Sequence, residues 1–379
     1  MKEKILVMGD IHIYPHKNYN YFCLLAQQIF EYIHLYCVQN KITSFVFLGD
    51  LFENRNSIEV ENAIKVKNIL KKMRADKINI SAIVGNHDMV FSEAKEVDVN
   101  SLALYESYFH NFQNKKSIFE IKNLINNDNF EFYGLNYTNY SSEMILKKMP
   151  VLNPNKKSIL FTHNDIMGIK LANNTEMLNG FNPSIFANFY KVFNGHIHLQ
   201  SEYKNIVQVG SPYKYSLSEL NTPSGFYVLN FEEENFSYEF VQIDFLPKLY
   251  TLKIQEARED YFKEELDKFN LSNDFVLLEV ETNDINYVSE LKKFITNSYE
   301  VVDVYIDVVV DVNNSSVKKD KDNKFLESYQ KTQEIIKNLQ SPNGFFSSFE
   351  KFLKEEKKMN EQEIEKKIAL LKNLIKEIV

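Results

Sequence analysis

Five short motifs in this sequence combine imidazole, carboxylate and amide groups at spacings that suit metal ligation. They are Gly9-Asp10-Ile11-His12, Gly49-Asp50-Leu51-Phe52-Glu53, Gly85-Asn86-His87-Asp88, Thr162-His163-Asn164 and Gly195-His196-Ile197-His198. Singly, each has an ordinary explanation. A Gly-Asp pair after a strand is usually a turn or a helix start, and an isolated Asn-His is usually a surface pair. His196 and His198 say more, because alternate residues of an extended segment project to one face. Of the eight histidines in the chain, five fall in these motifs, and only His16, His34 and His110 stand outside them. That order is too regular for five separate accidents.

The motifs stand at or near the ends of expected strands. Lys4–Met8, Ser44–Leu48 and Ile80–Val84 are short apolar runs of strand character. Between them lie helical patterns. One runs through Tyr21, Leu24, Leu25, Ile29, Tyr32, Ile33 and Tyr36, and the other is Ile58–Met73, with Ser57 suited to cap it. This alternation predicts a sheet with helices on its faces, and functional groups in such folds gather at the carboxyl ends of the strands. Further strands are expected at Phe130–Gly134, Ser158–Thr162, Lys191–Phe193, Ile206–Val209 and Gly225–Phe231. Their close spacing predicts a more antiparallel second half. The expected fold class is therefore a two-sheet α/β sandwich over residues 1–245.

A chain of 379 residues exceeds one ordinary core and suggests further domains. Residues 246–312 read as a small α/β cap, with strands at Leu249–Ile254, Phe275–Glu281 and Glu300–Val310 and charged helices at Ala257–Phe269 and Ile285–Asn297. Residues 313–324 are polar, charged and aperiodic, as a linker would be. Residues 325–379 read as a helical region broken by Ser341-Pro342-Asn343-Gly344. Asn360 and Glu363 resemble a capping box, and Ile364, Ile368, Leu371, Ile375 and Ile378 then recur with the spacing of a coiled-coil seam. So short a helix needs something to pack against, either the chain's own helices or a partner protein.

The formal net charge of −8 weighs against a generic nucleic-acid binder, although a bound metal pair would reverse the local sign. No run approaches the ~18 apolar residues of a membrane span, and Ile5–Met8 is too short for a signal-peptide core. Cys23 and Cys37 would lie about 21 Å apart along one straight helix. They cannot pair there, so a cytoplasmic location and no membrane association are expected.

The order Asp-x-His, Gly-Asp, Gly-Asn-His-Asp, His, Gly-His-x-His resembles the calcineurin-like metallophosphoesterase family over roughly residues 1–245. That resemblance implies a dinuclear site in a two-sheet sandwich. It makes Asp50 the bridging ligand. Asp10, His12 and His198 would complete one metal, and Asn86, His163 and His196 the other. Two ions a few Å apart would clamp the attacking and departing oxygens of an in-line phosphoryl displacement, with a water activated between them as nucleophile. Mixed nitrogen and oxygen shells suit Mn²⁺, Fe or Zn²⁺ better than Mg²⁺ or Ca²⁺. His87 is left without a metal and is assigned to transition-state stabilisation or to protonation of the leaving oxygen. Glu53 or Asp88 would hold its tautomer and charge, although the family often has Asp or His where this chain has Glu53. Arg55 would contact a substrate phosphate or form a structural ion pair.

The segment Gly210-Ser211-Pro212-Tyr213-Lys214-Tyr215-Ser216-Leu217-Ser218-Glu219 resembles the Gly-Ser/Thr-Pro segment of SbcD-type nuclease subunits. The spacing Glu53-x-Arg55 is similar to that of the phage recombination-nuclease branch. This family implies a Mn-dependent DNA exonuclease and endonuclease with a DNA-contacting cap. It also implies a helical tail docked on an SMC-like ATPase subunit of the SbcC type, and a homodimer. ATP would be hydrolysed by that partner, since the chain has no Gly-x-x-x-x-Gly-Lys-Ser/Thr loop of its own. Lys191, Lys204 and Lys214 form a basic patch near the site or are ordinary surface lysines, and Lys214 is the candidate substrate contact. Two other readings are a phosphomonoesterase or cyclic-nucleotide phosphodiesterase using the same metals, and a non-catalytic scaffold. The first leaves cap and tail unexplained, and the full set of ligands with His87 argues against the second.

Overall fold

A computed structural model describes residues 2–13, 19–90, 99–114, 116–171, 175–214, 219, 222–255, 275–281, 285–299, 301 and 303–309. The chain divides into two units, Met1–Val309 and Val310–Val379. The expected linker and helical tail lie outside the described residues, as do His16 and the expected helix Ala257–Phe269.

Three parallel strands start the fold. β1 (Glu3–Met8), β2 (Ser44–Phe47) and β3 (Asn79–Ala82) pair side by side. Helices α1 (Tyr19–Gln39) and α2 (Val60–Ala75) connect them. A second sheet follows: β4 (Ile118–Ile121), β5 (Phe130–Leu135), then α3 (Ser142–Lys148), β6 (Lys157–Thr162), β7 (Lys191–Asn194), β8 (Ser201–Tyr203) and β9 (Ile206–Gln208). Its order is β4-β5-β6-β7-β9-β8. The chain then returns through β10 (Gly225–Glu232) and β11 (Asn235–Gln242), which complete the first sheet in the order β11-β10-β1-β2-β3.

The residue pattern explains why two sheets stack. On β1, Leu6 and Met8 share a cluster with Leu25, Ile29 and Ile33 of α1 and Ile69 and Leu70 of α2. Ile5 and Val7 point the other way and pack with Phe161 of β6 and Phe193 of β7. Alternate residues take opposite faces, so a strand buried on both faces must be apolar throughout. The outer face of the second sheet is covered in turn: Leu160 and Val192 cluster with Ile145 of α3 and Phe186. The expected sandwich is the fold observed.

Two local expectations differ from the structure. α2 starts at Val60 after an extended Glu59 that makes no side-chain cap bond, so Ser57 lies outside the helix and does not cap it. The second sheet is also less antiparallel than its strand spacing suggests. β5, β6, β7 and β9 all pair in parallel, and only the edge strands β4 and β8 run against their neighbours. The long stretch between Thr162 and Lys191 leaves room for a crossover, and the short β8 folds outward so that β9 re-enters beside β7.

β12 (Leu249–Gln255), β13 (Phe275–Glu281) and β14 (Asp303–Val309) form a separate parallel sheet. α4 (Ile285–Ser298) lays Leu291 and Ile295 against Val276, Leu278, Val280 and Val304. No helix among the described residues is long and apolar enough to cross a membrane.

Phe161 is fully buried between the two large sheets. Phe161→Ala is expected to cost about 3–5 kcal/mol, read as a fall in the urea midpoint. A loss below about 1 kcal/mol would mean that the sheets collapse onto the gap.

Candidate metal centre

The five motifs meet in space because each follows the carboxyl end of β1, β2, β3, β6 or β7. Four of their residues adopt left-handed backbone: Asp10 (φ 55°), His12 (φ 38°), Asp50 (φ 56°) and His196 (φ 74°). Such conformations cost of order 1–3 kcal/mol each and persist only when their surroundings impose them. Here hydrogen bonds from their own N–H groups hold them. Asp10 N donates to Gly49 O at 2.9 Å and His12 N to Asp50 O at 3.0 Å, while His196 N donates to Asp10 Oδ1 at 2.9 Å. Gly49 (φ 95°) is tightly constrained, since a Cβ there would strike the backbone of Gly85. A Cβ on Gly85 would strike the Asp50 carboxylate.

Four imidazoles share one arrangement. His163 Nδ1 donates to Leu48 O at 2.7 Å, His12 Nδ1 contacts Glu53 Oε2 at 2.7 Å, His196 Nε2 contacts Asp165 Oδ1 at 2.8 Å, and His198 Nδ1 contacts Glu219 Oε1 at 3.1 Å. An acceptor that cannot donate fixes the proton on the ring nitrogen facing it. In the neutral ring the other nitrogen then presents a lone pair inward. His163 Nε2 meets Asn86 Oδ1 at 3.0 Å and Asp50 Oδ2 at 3.1 Å, and His196 Nδ1 meets Asn86 Oδ1 at 2.9 Å. His12 Nε2 lies 3.3 Å from Asp50 Oδ2, and His198 Nε2 lies 3.8 Å from Asp10 Oδ1. Lone pairs and oxygens converging in this way repel unless a cation sits among them. The donor set therefore fits divalent metal, with the outer acceptors that orient ligating histidines.

Electrostatics agree. Burial pushes the pKa values of His12 and His163 below the ordinary histidine range, which favours the neutral, ligating ring. Burial acts the same way on His196, but the Asp165 carboxylate outweighs it and raises that pKa. Burial also opposes the charge on Asp50, yet His163 beside it holds its carboxyl below the usual range. Asp10 goes the other way, raised well above the usual range by burial and then by the charge of Asp50. Two buried carboxylates this close need positive charge between them to ionise together. Candidate ligand atoms gather into three groups, each within 4.8 Å: Asp10, His12 and His198; Asp50, His163 and His196; and His12, Glu53 and His87. Asn86 Oδ1 lies 3.0 Å from His163 Nε2 and 2.9 Å from His196 Nδ1, beside the second group.

His87 stands beside this set. Its ring lies 4.8 Å from that of His12, and its Nδ1 donates to Glu53 O at 2.8 Å with Glu53 Oε2 at 3.4 Å. Of the two carboxylates expected to steady His87, the structure brings only Glu53 to it, and Glu53 serves His12 more closely. Asp88 is turned away. It is fully buried, and it accepts from the backbone N–H groups of Asp50, Leu51 and Gly85 and from Ser101 Oγ at 2.8–3.1 Å. It is a brace for the loops, with its pKa pushed up to about 7 by burial and by Asp50.

Arg55 is half-buried, and its charge acts on His196 and Tyr137. Lys214 is half-buried near Glu219, and burial lowers its pKa. Lys191 and Lys204 do not join the site. Lys191 opens β7, at the opposite end from His196, and pairs with Glu202 at 3.3 Å. Lys204 lies in the β8–β9 turn over the Tyr203 ring. Asp165 and the orienting role of Glu219 were not anticipated. Asp165 follows His163 by two residues, the one signal that could have found it.

The calcineurin-like phosphoesterase family model matches residues 3–200, a span containing all seven expected ligands and His87. Exonuclease subunit 1 of Enterobacteria phage T4 is 23% identical over 303 residues, which is 79% of this chain and 84% of that protein. Among solved structures, a dimetal phosphatase from Danio rerio aligns with a TM-score of 0.39 at 11% identity, covering 63% of this chain and 95% of that one. Yfce, a phosphoesterase from E. coli, aligns with a TM-score of 0.29 at 14% identity, covering 60% of this chain and 87% of that one.

Two outcomes follow from this geometry. Glu53→Gln is expected to weaken metal binding by about 10- to 100-fold, measured by calorimetric titration; unchanged affinity would remove Glu53 from the support of His12. Asp88→Ala strips the acceptor from buried N–H groups at about 1–3 kcal/mol for each group left unsatisfied. It should lower the thermal midpoint of the metal-free protein, and an unchanged midpoint would contradict its bracing role.

Proposed function

The chain belongs to the calcineurin-like phosphoesterase family, and on that premise we propose that it is a Mn-dependent DNA nuclease with exonuclease and endonuclease activity on phosphodiesters. The observation that supports the phosphoesterase chemistry is the inward convergence of four oriented imidazoles on Asp10, Asp50 and Asn86. The nuclease reading is supported by the similarity to a phage exonuclease subunit, which spans 79% of this chain and so extends beyond the family match at residues 3–200.

Two divalent ions, held by Asp10, His12 and His198 and by Asn86, His163 and His196 with Asp50 between, would neutralise phosphate charge and activate a water. The chain's own residues divide the remaining work. Nδ1 of His87 is committed to Glu53 O, so Nε2 is the nitrogen left to protonate the departing oxygen. The Glu53 carboxylate lies 3.4 Å from that Nδ1 and helps to hold the ring in place. Arg55 and Lys214 offer charge to the substrate phosphates. Residues 246–312 carry a net charge of −8, equal to that of the whole chain, which opposes a polyanion.

The same reading includes an SMC-like ATPase partner for the apolar seam that the sequence spacing predicts at Ile364–Ile378, a homodimer and a cytoplasmic setting. The relative is itself named a subunit, and Cys23 and Cys37 are both free thiols.

The purified chain with Mn²⁺ is expected to cleave linear duplex and single-stranded DNA. His87→Ala should slow cleavage by about 10²- to 10⁴-fold while keeping its metal. Brisk turnover of an aryl phosphate without DNA cleavage would replace the nuclease with a phosphomonoesterase. Metal-free, folded protein with neither activity would leave a scaffold.

A further inference from the structure

Two hydrogen-bond networks that supply no expected ligand reach the centre from different parts of the chain. The first belongs to the segment that follows β9. Gly210 (φ 75°) turns the chain back against the backbone of His198 and Gln200. Ser211 N then donates to His198 O at 3.3 Å. Tyr213, fully buried, donates its hydroxyl to His12 O at 3.1 Å. Glu219 takes His198 Nδ1 at 3.1 Å. One short segment thus grips both histidines of the Asp10–His12–His198 group. The Tyr213 ring is itself anchored in the core, with its centroid 6.0 Å from that of Phe22.

The second network is a ladder of buried amides across the carboxyl ends of the strands. Asn136 Oδ1 accepts from Val84 N at 2.9 Å, just ahead of Gly85 and Asn86. Asn164 donates to Asn136 O at 3.1 Å and to Thr162 Oγ1 at 2.8 Å, while its own N–H donates to Asn194 Oδ1 at 2.9 Å. Asn194 Nδ2 donates to Asn164 O at 2.9 Å and to Gln208 Oε1 at 3.0 Å. These four amide side chains are at most 1% exposed. Buried amides cost free energy unless they are bonded, and apolar residues would fill the space without that cost. What the amides add is fixed spacing between the ends of β3, β6 and β7, from which Asn86, His163 and His196 project.

The two networks share no side chain. We infer that the two metal positions are supported separately, Tyr213 and Glu219 positioning the ligands of one and Asn164 and Asn194 those of the other, so that either can be weakened alone. The inference rests on the dinuclear reading. It divides the centre into two halves held by separate side chains, which meet at Asp50 and at the bond from His196 N to Asp10 Oδ1.

The test is titration of the full-length, metal-free chain with Mn²⁺ by calorimetry, with electron paramagnetic resonance to separate coupled pairs from isolated ions. Wild type should take up two ions that give a coupled signal. Tyr213→Phe and Glu219→Gln should each weaken one site by about 10- to 100-fold and leave the other at wild-type affinity, so that one equivalent gives an isolated-ion spectrum. Asn164→Ala should do the same to the opposite site. Asp165→Asn, at a half-exposed position that holds His196, decides that arm if Asn164→Ala does not fold by circular dichroism. Joint weakening of both sites in every variant, or no weakening in any, overturns the inference. Fewer than two ions on wild type would overturn the dinuclear reading instead.

Discussion

Asp50, a residue with 1% of its surface exposed, sets through its carboxylate the terms for everything around it. Burying a charge is expensive unless donors or counter-charges surround it. One oxygen takes the backbone N–H of His87 at 2.7 Å, and the other faces His163 and His12. Those contacts fix the turns after β2 and β3, and the close approach explains glycine at positions 49 and 85. Asp88, beneath the same turns, keeps the loops from spreading under the repulsion between carboxylates. The sandwich is the frame that brings these strand ends together.

The outer acceptors are not equivalent. His163 rests on a backbone carbonyl, which cannot titrate and moves only with the strand end. His12, His196 and His198 rest on carboxylates, which fix the ring orientation and place negative charge behind it. Glu53 is shared between His12 and His87, so a group expected to hold metal and a group expected to move a proton lean on one side chain. Their behaviours are coupled through that carboxylate, although they come from different strands.

Much of this was legible in the sequence. Gly-Asp and His-x-His motifs at the ends of apolar runs located the centre, because the same short strands that carry ligands also read as continuous hydrophobic stretches. The outer partners were less visible. Asp165 and Glu219 lie in loops whose paths depend on tertiary packing, and a carboxylate near a motif is common without any role. Asp88 looked like a candidate for His87 because it is adjacent in sequence, yet a turn projects neighbouring side chains in different directions. The parallel pairing of β6, β7 and β9 was hidden because strand spacing says nothing about where a long connection runs. β11 escaped notice because its exposed and half-buried residues, Ser237, Tyr238 and Glu239 among them, form no apolar run.

The partner of β1 has a consequence for biogenesis. Glu3 is registered with Phe231 and Val7 with Tyr227, so the first strand made is flanked on one side by one of the last strands of its sheet. Contacts of such high sequence separation are slow to form. At ribosomal rates of about 5–20 residues per second, roughly 10–45 s of synthesis pass before that neighbour exists. During that interval an apolar strand edge next to the nascent Asp10 loop stays open. Protection of that edge, which pairing with β2 does not cover, is then a condition for reaching the native sheet without aggregation.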